Sequence, residues 1–145
     1  MATSSALETL IELATKSTDE AAKRLGRAIK AGDDAQQKLT LLIQYRDDYA
    51  ARLQTTMMSG FTTTSYRNFQ FFLDKLDDAI KGQQQVIQTA QRRVEDERKA
   101  WQDSERKRIS YDTLVTRAMR VQEAKEMKRE QKQTDEFAAR KLSYR

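Results

Sequence analysis

The sequence predicts an all-α chain: a long antiparallel two-helix coiled coil, an α-helical hairpin whose second helix is longer than its first. Three observations lead there. Proline is absent and glycine occurs only four times in 145 residues, so little interrupts helix. Apolar residues recur at alternating steps of three and four along two long stretches. One good turn signal, Met57-Met58-Ser59-Gly60-Phe61-Thr62-Thr63-Thr64-Ser65, separates them. Charged residues make up 34% and hydrophobic ones 38%, too little apolar material for a layered domain and enough for a thin seam. The length fits one domain, with helix one over about residues 5–58, the turn over 59–65 and helix two over 66–140.

The first helix opens on Ser5-Ala6-Leu7-Glu8, which has the spacing of a capping box. Its seam then runs Leu7, Ile11, Ala14, Thr18, Ala21, Leu25, Ala28, Gly32, Ala35, Leu39, Leu42, Arg46, Tyr49, Leu53, Thr56. The small residues at 14, 21, 28 and 35 would let a partner helix come close. Gly26 and Gly32 each cost about 1 kcal/mol against alanine, so a bend or fraying is expected in this part of the helix. At the reversal, Gly60 suits the left-handed position that ends a helix. Any of Thr62 to Ser65 has a hydroxyl able to cap the next one.

The second seam runs Leu73, Leu76, Ile80, Gln83, Ile87, Ala90, Val94, Glu97, Trp101, Ser104, Arg108, Tyr111, Val115, Ala118. Its polar breaks fall mainly after Val94, so looser packing is expected there. Acid-before-base pairs four apart decorate both helices: Asp19–Lys23, Glu20–Arg24, Asp34–Lys38, Asp48–Arg52, Asp77–Lys81, Glu95–Lys99 and Asp103–Lys107.

With the turn near residue 60, the numbers of facing residues add to about 121, and Leu7 falls near Leu114. Residues beyond about 120 then have no partner within the chain. A helix from Ser65 to Arg140 would be roughly 110 Å long, with about 30 Å projecting. This last segment also holds the charge. Residues 117–145 contain nine Lys/Arg and five Asp/Glu, giving +4 of the chain's +5. A basic tail on a nearly neutral body suits an acidic partner for the tail rather than a nucleic-acid groove along the whole chain.

Cysteine and histidine are both absent, which excludes disulfides, thiolate zinc sites and imidazole-based triads or metal centres. No apolar run approaches the roughly 18 residues of a membrane span, so direct membrane insertion is not expected. Met1-Ala2-Thr3-Ser4-Ser5 lacks the pattern of a signal peptide. The doubled acids Asp33-Asp34, Asp47-Asp48 and Asp77-Asp78 diverge by about 100° on a helix and do not converge on a metal. No phosphate loop, nucleophile elbow or dinucleotide fingerprint is present. The expectation is a non-enzyme without cofactor or metal.

Two regions remain as candidates. The facing rule pairs Leu42 with Ala79, Tyr45 with Leu76, Tyr49 with Phe72 and Lys38 with Gln83, forming one face near the hairpin tip. That face is either wide core or an aromatic docking patch; two helices offer no third layer to cover Tyr45, Tyr49 and Phe72. In the tail, Phe137, Leu142 and Tyr144 punctuate a charge run that reads either as a solvated face or as an anchor. Interleaved acids and the lack of a stacking platform speak against nucleic acid.

The opening Ala6-Leu7-Glu8-Thr9-Leu10, the block Leu41-Leu42-Ile43-Gln44-Tyr45-Arg46-Asp47-Asp48-Tyr49, the block Asn68-Phe69-Gln70-Phe71-Phe72 and Asp135-Glu136-Phe137-Ala138-Ala139-Arg140 resemble the FliJ family of the bacterial flagellar type III export apparatus. The resemblance spans almost the full length. It implies a cytoplasmic stalk, peripheral at the inner face of the inner membrane, that inserts its free helical ends into the hexameric export ATPase FliI and promotes ring assembly. It further implies binding to the cytoplasmic domain of the export gate protein FlhA and to export chaperones. The family's gate-binding stripe maps onto Leu42, Tyr45, Tyr49, Phe72, Leu76 and Ala79. Lys38 and Gln83 at its rim depart from some members. For the ATPase the resemblance carries over Asp135, Glu136, Phe137 and Arg140, with Leu7, Leu10 and Leu13 in support. A virulence-type secretion stalk and a structural self-associating coiled coil are the alternatives.

Overall fold

The computed structural model describes residues 2–143, with side chains from Ser5 onward, and Tyr144 lies outside them. Among the described residues there are two helices and no strand: α1 (Ala2–Met58) and α2 (Thr63–Ser143). The architecture is the antiparallel two-helix hairpin with the longer second helix. Contacts group the chain into two units, one of residues 1–19 with 102–145 and one of residues 20–101.

The unit of residues 20–101 is the hairpin proper. Met58 ends α1, and Gly60 takes a φ of 95°, the left-handed backbone that a side chain would strain. Among the hydroxyls able to cap α2, Thr62 does so. Its Oγ1 accepts the Ser65 amide at 3.2 Å and donates to the Ser65 hydroxyl at 2.9 Å. Phe61, just before the cap, meets Tyr66 edge to face at 6.4 Å, a hydrophobic staple that sets the angle at which the chain enters α2.

Behind the turn the two helices close on a thin core of Ala35, Leu39, Ile80 and Ile87, with Leu42 and Ile43 packed against it. Ala35 and Leu39 of α1 meet Ile80 and Ile87 of α2, one small and three branched side chains that fill the seam without a third layer. Gln83 stands in this seam only 7% exposed, and its Nε2 donates to the Ala35 carbonyl at 2.9 Å. What the sequence presents as a polar break is therefore a hydrogen bond that fixes one helix against the other. Arg24 reaching Glu97 at 3.2 Å and Arg46 reaching Asp77 at 3.6 Å repeat the antiparallel pairing along the unit.

In the unit of residues 1–19 and 102–145, Ala14 and Thr18 are buried, and Leu7, Ile11, Ser104, Arg108, Tyr111 and Val115 are half-buried. Arg108 lies at a seam position and donates to Glu105 and Asp112 on its own helix. The Arg108 hydrogen bonds hold the Glu105 carboxyl below the usual carboxylate range, partly opposed by desolvation.

All fifteen seam positions read on α1, and all on α2 except the exposed Ala118, are covered. Four expectations change. Helix begins at Ala2, so Ser5 lies inside α1, where its carbonyl accepts the Thr9 hydroxyl instead of its side chain opening a capping box. The second helix starts three residues early, at its Thr62 cap, and runs to Ser143. α1 continues unbroken through Gly26 and Gly32, because packing of the seam outweighs a local propensity cost. Finally, none of the seven i,i+4 acid–base pairs forms among the described residues. Arginine takes their place: Glu95 pairs with Arg98, Asp103 with Arg106, and Arg24 and Arg46 reach across the seam. All seven expected pairs end in lysine or in an exposed arginine, where the gain is only a few tenths of a kcal/mol and side-chain entropy opposes it.

Three measurements follow. Ile87→Ala removes a buried branched side chain and is expected to cost about 2–3 kcal/mol in urea unfolding. Gly82→Ala places a Cβ that meets nothing within 4 Å in a helix interior and is expected to stabilise by about 1 kcal/mol in the same assay. For Glu105, the depressed folded pKa means its contribution is present at neutral pH and lost as pH falls through the folded value. Glu105→Gln therefore flattens part of the acid limb of the stability curve.

Candidate functional site

The first candidate is built at the turn end of the 20–101 unit, on an aromatic scaffold. Tyr49 sits between Phe69 at 4.8 Å and Phe72 at 4.5 Å between ring centroids, and Phe69 stacks on Phe61 at 5.4 Å. These tilted contacts are the favourable arrangement for rings with a negative face and positive edge. They tie the staple of the turn to the last covered positions of the seam. Sequence periodicity missed Phe69 as the hinge of this stack, because it lies one turn before the first seam residue of α2; its four-residue spacing from Leu73 is the signal that could have found it.

On this scaffold the six stripe residues divide. Leu42, Tyr49 and Leu76 are half-buried and act as support. Tyr45 is 65% exposed, Phe72 is 47% exposed, and Ala79 is exposed as well. Tyr45, Tyr49, Phe72 and Leu76 line one shallow groove together with Asp48 and Arg52, while Leu42 and Ala79 lie outside it. The groove thus offers aromatic and aliphatic surface edged by one acid and one base. Phe71, 65% exposed, belongs to another face, where Lys75 covers its ring at 5.2 Å.

The second candidate is the C-terminal segment of α2. Every residue from 116 to 143 is exposed. Asp135, Glu136, Phe137 and Arg140 lie on the helix within two turns, and Phe137 is 65% exposed with the Lys141 ammonium 5.7 Å from its ring. Arg140 and Lys141 in the last turn complement the helix dipole. Of the N-terminal leucines, Leu7 is half-buried and Leu10 and Leu13 are exposed. Among the described residues no cluster of acids could hold a metal, and no helix is long and apolar enough to cross a membrane.

A family model described as "Flagellar FliJ protein" matches residues 3–145. The chain belongs to the flagellar FliJ protein family. It is 32% identical over 140 residues to a flagellar FliJ protein of Salmonella typhi, covering 97% of this chain and 95% of that one. It is 31% identical over the same length and shares to the flagellar FliJ protein of Escherichia coli strain K12. Membership makes the chain a component of flagellar protein export. For this FliJ-family chain, the two departures at the rim of the stripe separate: Lys38 is exposed, whereas Gln83 is buried in the seam and spent on the Ala35 carbonyl. Gln83 is thus a packing residue rather than part of a surface rim.

The division of the stripe has a measurable consequence. Tyr49→Ala removes a stacked, half-buried ring and is expected to lower unfolding stability by about 2 kcal/mol or more. Tyr45→Ala is expected to stay within about 0.5 kcal/mol of the parent chain. Equal losses at both positions would make Tyr45 core.

Proposed function

We propose that the chain is a non-enzymatic adaptor of the flagellar export apparatus. In this reading the face of Leu42, Tyr45, Tyr49, Phe72, Leu76 and Ala79 docks on the cytoplasmic domain of the export gate FlhA. The segment of Asp135, Glu136, Phe137 and Arg140 engages the hexameric export ATPase FliI and favours assembly of its ring. Export chaperones are further partners, and the chain works at the cytoplasmic side of the inner membrane. It does no chemistry of its own; it acts by holding its partners.

The observation that carries the reading is the exposure of Tyr45 and Phe72 beside a rigid aromatic stack. An exposed ring braced from behind loses little freedom when a partner covers it, which is how aromatic residues come to dominate interface energies. Support for the second contact is Phe137, a large apolar side chain set among charges on an otherwise polar helix. The flagellar relatives favour the flagellar system over a virulence-type one.

Pull-downs of the full chain with each partner test it. Tyr45→Ala with Phe72→Ala is expected to abolish binding to the gate domain and leave ATPase binding intact. Phe137→Ala with Arg140→Ala is expected to do the reverse. Retention of both interactions in both variants overturns the site assignment.

A further inference from the structure

A second groove on the 20–101 unit lies away from the aromatic stack. It has a volume of about 860 Å³ and runs between the two helices. Its floor is apolar: Ala28, Ala90 and Val86, the last 51% exposed although it is a branched aliphatic residue in mid-helix. Its rim is cationic. Arg24 and Arg27 stand on the α1 side and Arg93 on the α2 side, and none of the lining residues is acidic.

One carboxylate serves part of this rim from the seam. Glu97 Oε2 accepts from Arg24 at 3.2 Å, and Glu97 Oε1 lies 3.5 Å from Arg93 Nε. Two guanidiniums thus share a single half-covered acid. Each guanidinium has five N–H donors in a fixed fork, so most remain free to bind further carboxylates. Arg27 adds a third cation.

We propose that this groove is a docking site for an acidic amphipathic helix of another protein, its small apolar face laid over Val86 and its carboxylates held by Arg24, Arg27 and Arg93. Charge selects the occupant. The chain's own C-terminal segment is basic, +4 over residues 117–145, and would place cations on cations. A two-fold pairing of two copies through this face would oppose the same arginines. A helix with acid on both flanks of an apolar stripe meets the floor and both rims together. The apolar floor favours such a helix over a nucleic-acid strand, whose contacts would be confined to the rim.

The test uses the full chain and a synthetic helical peptide with alanine and leucine on one face and glutamate along both edges, followed by fluorescence anisotropy. Its twin with lysine at the edges and a DNA duplex are the comparisons. The glutamate peptide is expected to bind and the lysine peptide not to. Arg27→Glu with Arg93→Glu is expected to weaken the glutamate peptide by about tenfold or more and to admit the lysine peptide. Gly82→Glu, which adds a side chain into open space on the groove wall, is expected to weaken the glutamate peptide while helicity by circular dichroism is unchanged. Equal binding of the two peptides, binding unaffected by either variant, or tighter binding of the duplex than of the glutamate peptide would overturn the proposal. The aromatic face is untouched by these variants, so binding of the gate domain is expected to persist and reports separately on that site.

Discussion

Two helices alone can bury one stripe each, and the surfaces described above follow from that limit. The stripe here is unequal by design of its side chains. In the 20–101 unit, Ala35 and Leu39 of α1 close on Ile80 and Ile87 of α2, and buried alanines at 21 and 28 continue the stripe on α1. Among the described residues no large side chain is fully enclosed. Stability must then come from many shallow contacts along the helices, together with the helical backbone itself. The Gln83 to Ala35 hydrogen bond has particular weight in such a seam. A smooth run of alanines permits sliding by a turn, and a buried amide that finds its acceptor in only one alignment opposes it.

That alignment is what makes the aromatic face. Tyr49 meets Phe69 and Phe72 only if α2 enters at the right height, which the Thr62 cap and the Phe61–Tyr66 staple set from one side and Gln83 from the other. Local turn chemistry and the polar residue in the core thus converge on this surface, which the turn meets directly through Phe61 on Phe69. Tyr45 and Phe72 stay exposed for the same reason the core is thin: among the described residues there is no third element to cover them.

Much of this could be read from the chain before its structure. Heptad steps identify the covered residues on both helices because a period of 3.5 leaves no choice of face once the partner is known. Ser59 to Ser65 reads as a turn, since Gly60 and a run of hydroxyls have few other uses there. The stripe from Leu42 to Ala79 emerged from simple counting around that turn. What periodicity could not give was the use made of polar residues. Gln83 reads as a defect in a seam until its acceptor is known, and Arg24 reads as the partner of Glu20 until the other helix offers Glu97. Spacing along one helix sees i,i+4 neighbours only, whereas a guanidinium on a long stem chooses among everything within reach. The start of α1 was misplaced for a related reason: Ser5 and Glu8 satisfy a capping pattern, but three residues of helix precede them, and inside a helix the same hydroxyl has no free amide to accept.

The grooved and the aromatic stretches of the 20–101 unit can be traced to the same small residues. Where alanine and glycine line both helices, as at Ala28, Ala31, Gly82 and Ala90, the side chains fall short of filling the furrow and a long apolar groove stays open. Where Tyr49, Phe69 and Phe72 replace them, the rings pack on one another, and Phe72 stays exposed beside Tyr45. A two-helix protein has no interior in which to build a site, so it has two ways to present apolar surface, by subtraction and by addition. The charges follow suit. Arginines gather on the open furrow, where Arg24 and Arg93 share the single carboxylate of Glu97 and leave donors unspent, while the aromatic groove carries one Asp48 and one Arg52 and is close to neutral. Surfaces so different in shape and charge would be poor ligands for the same partner, and this favours separate partners for the two.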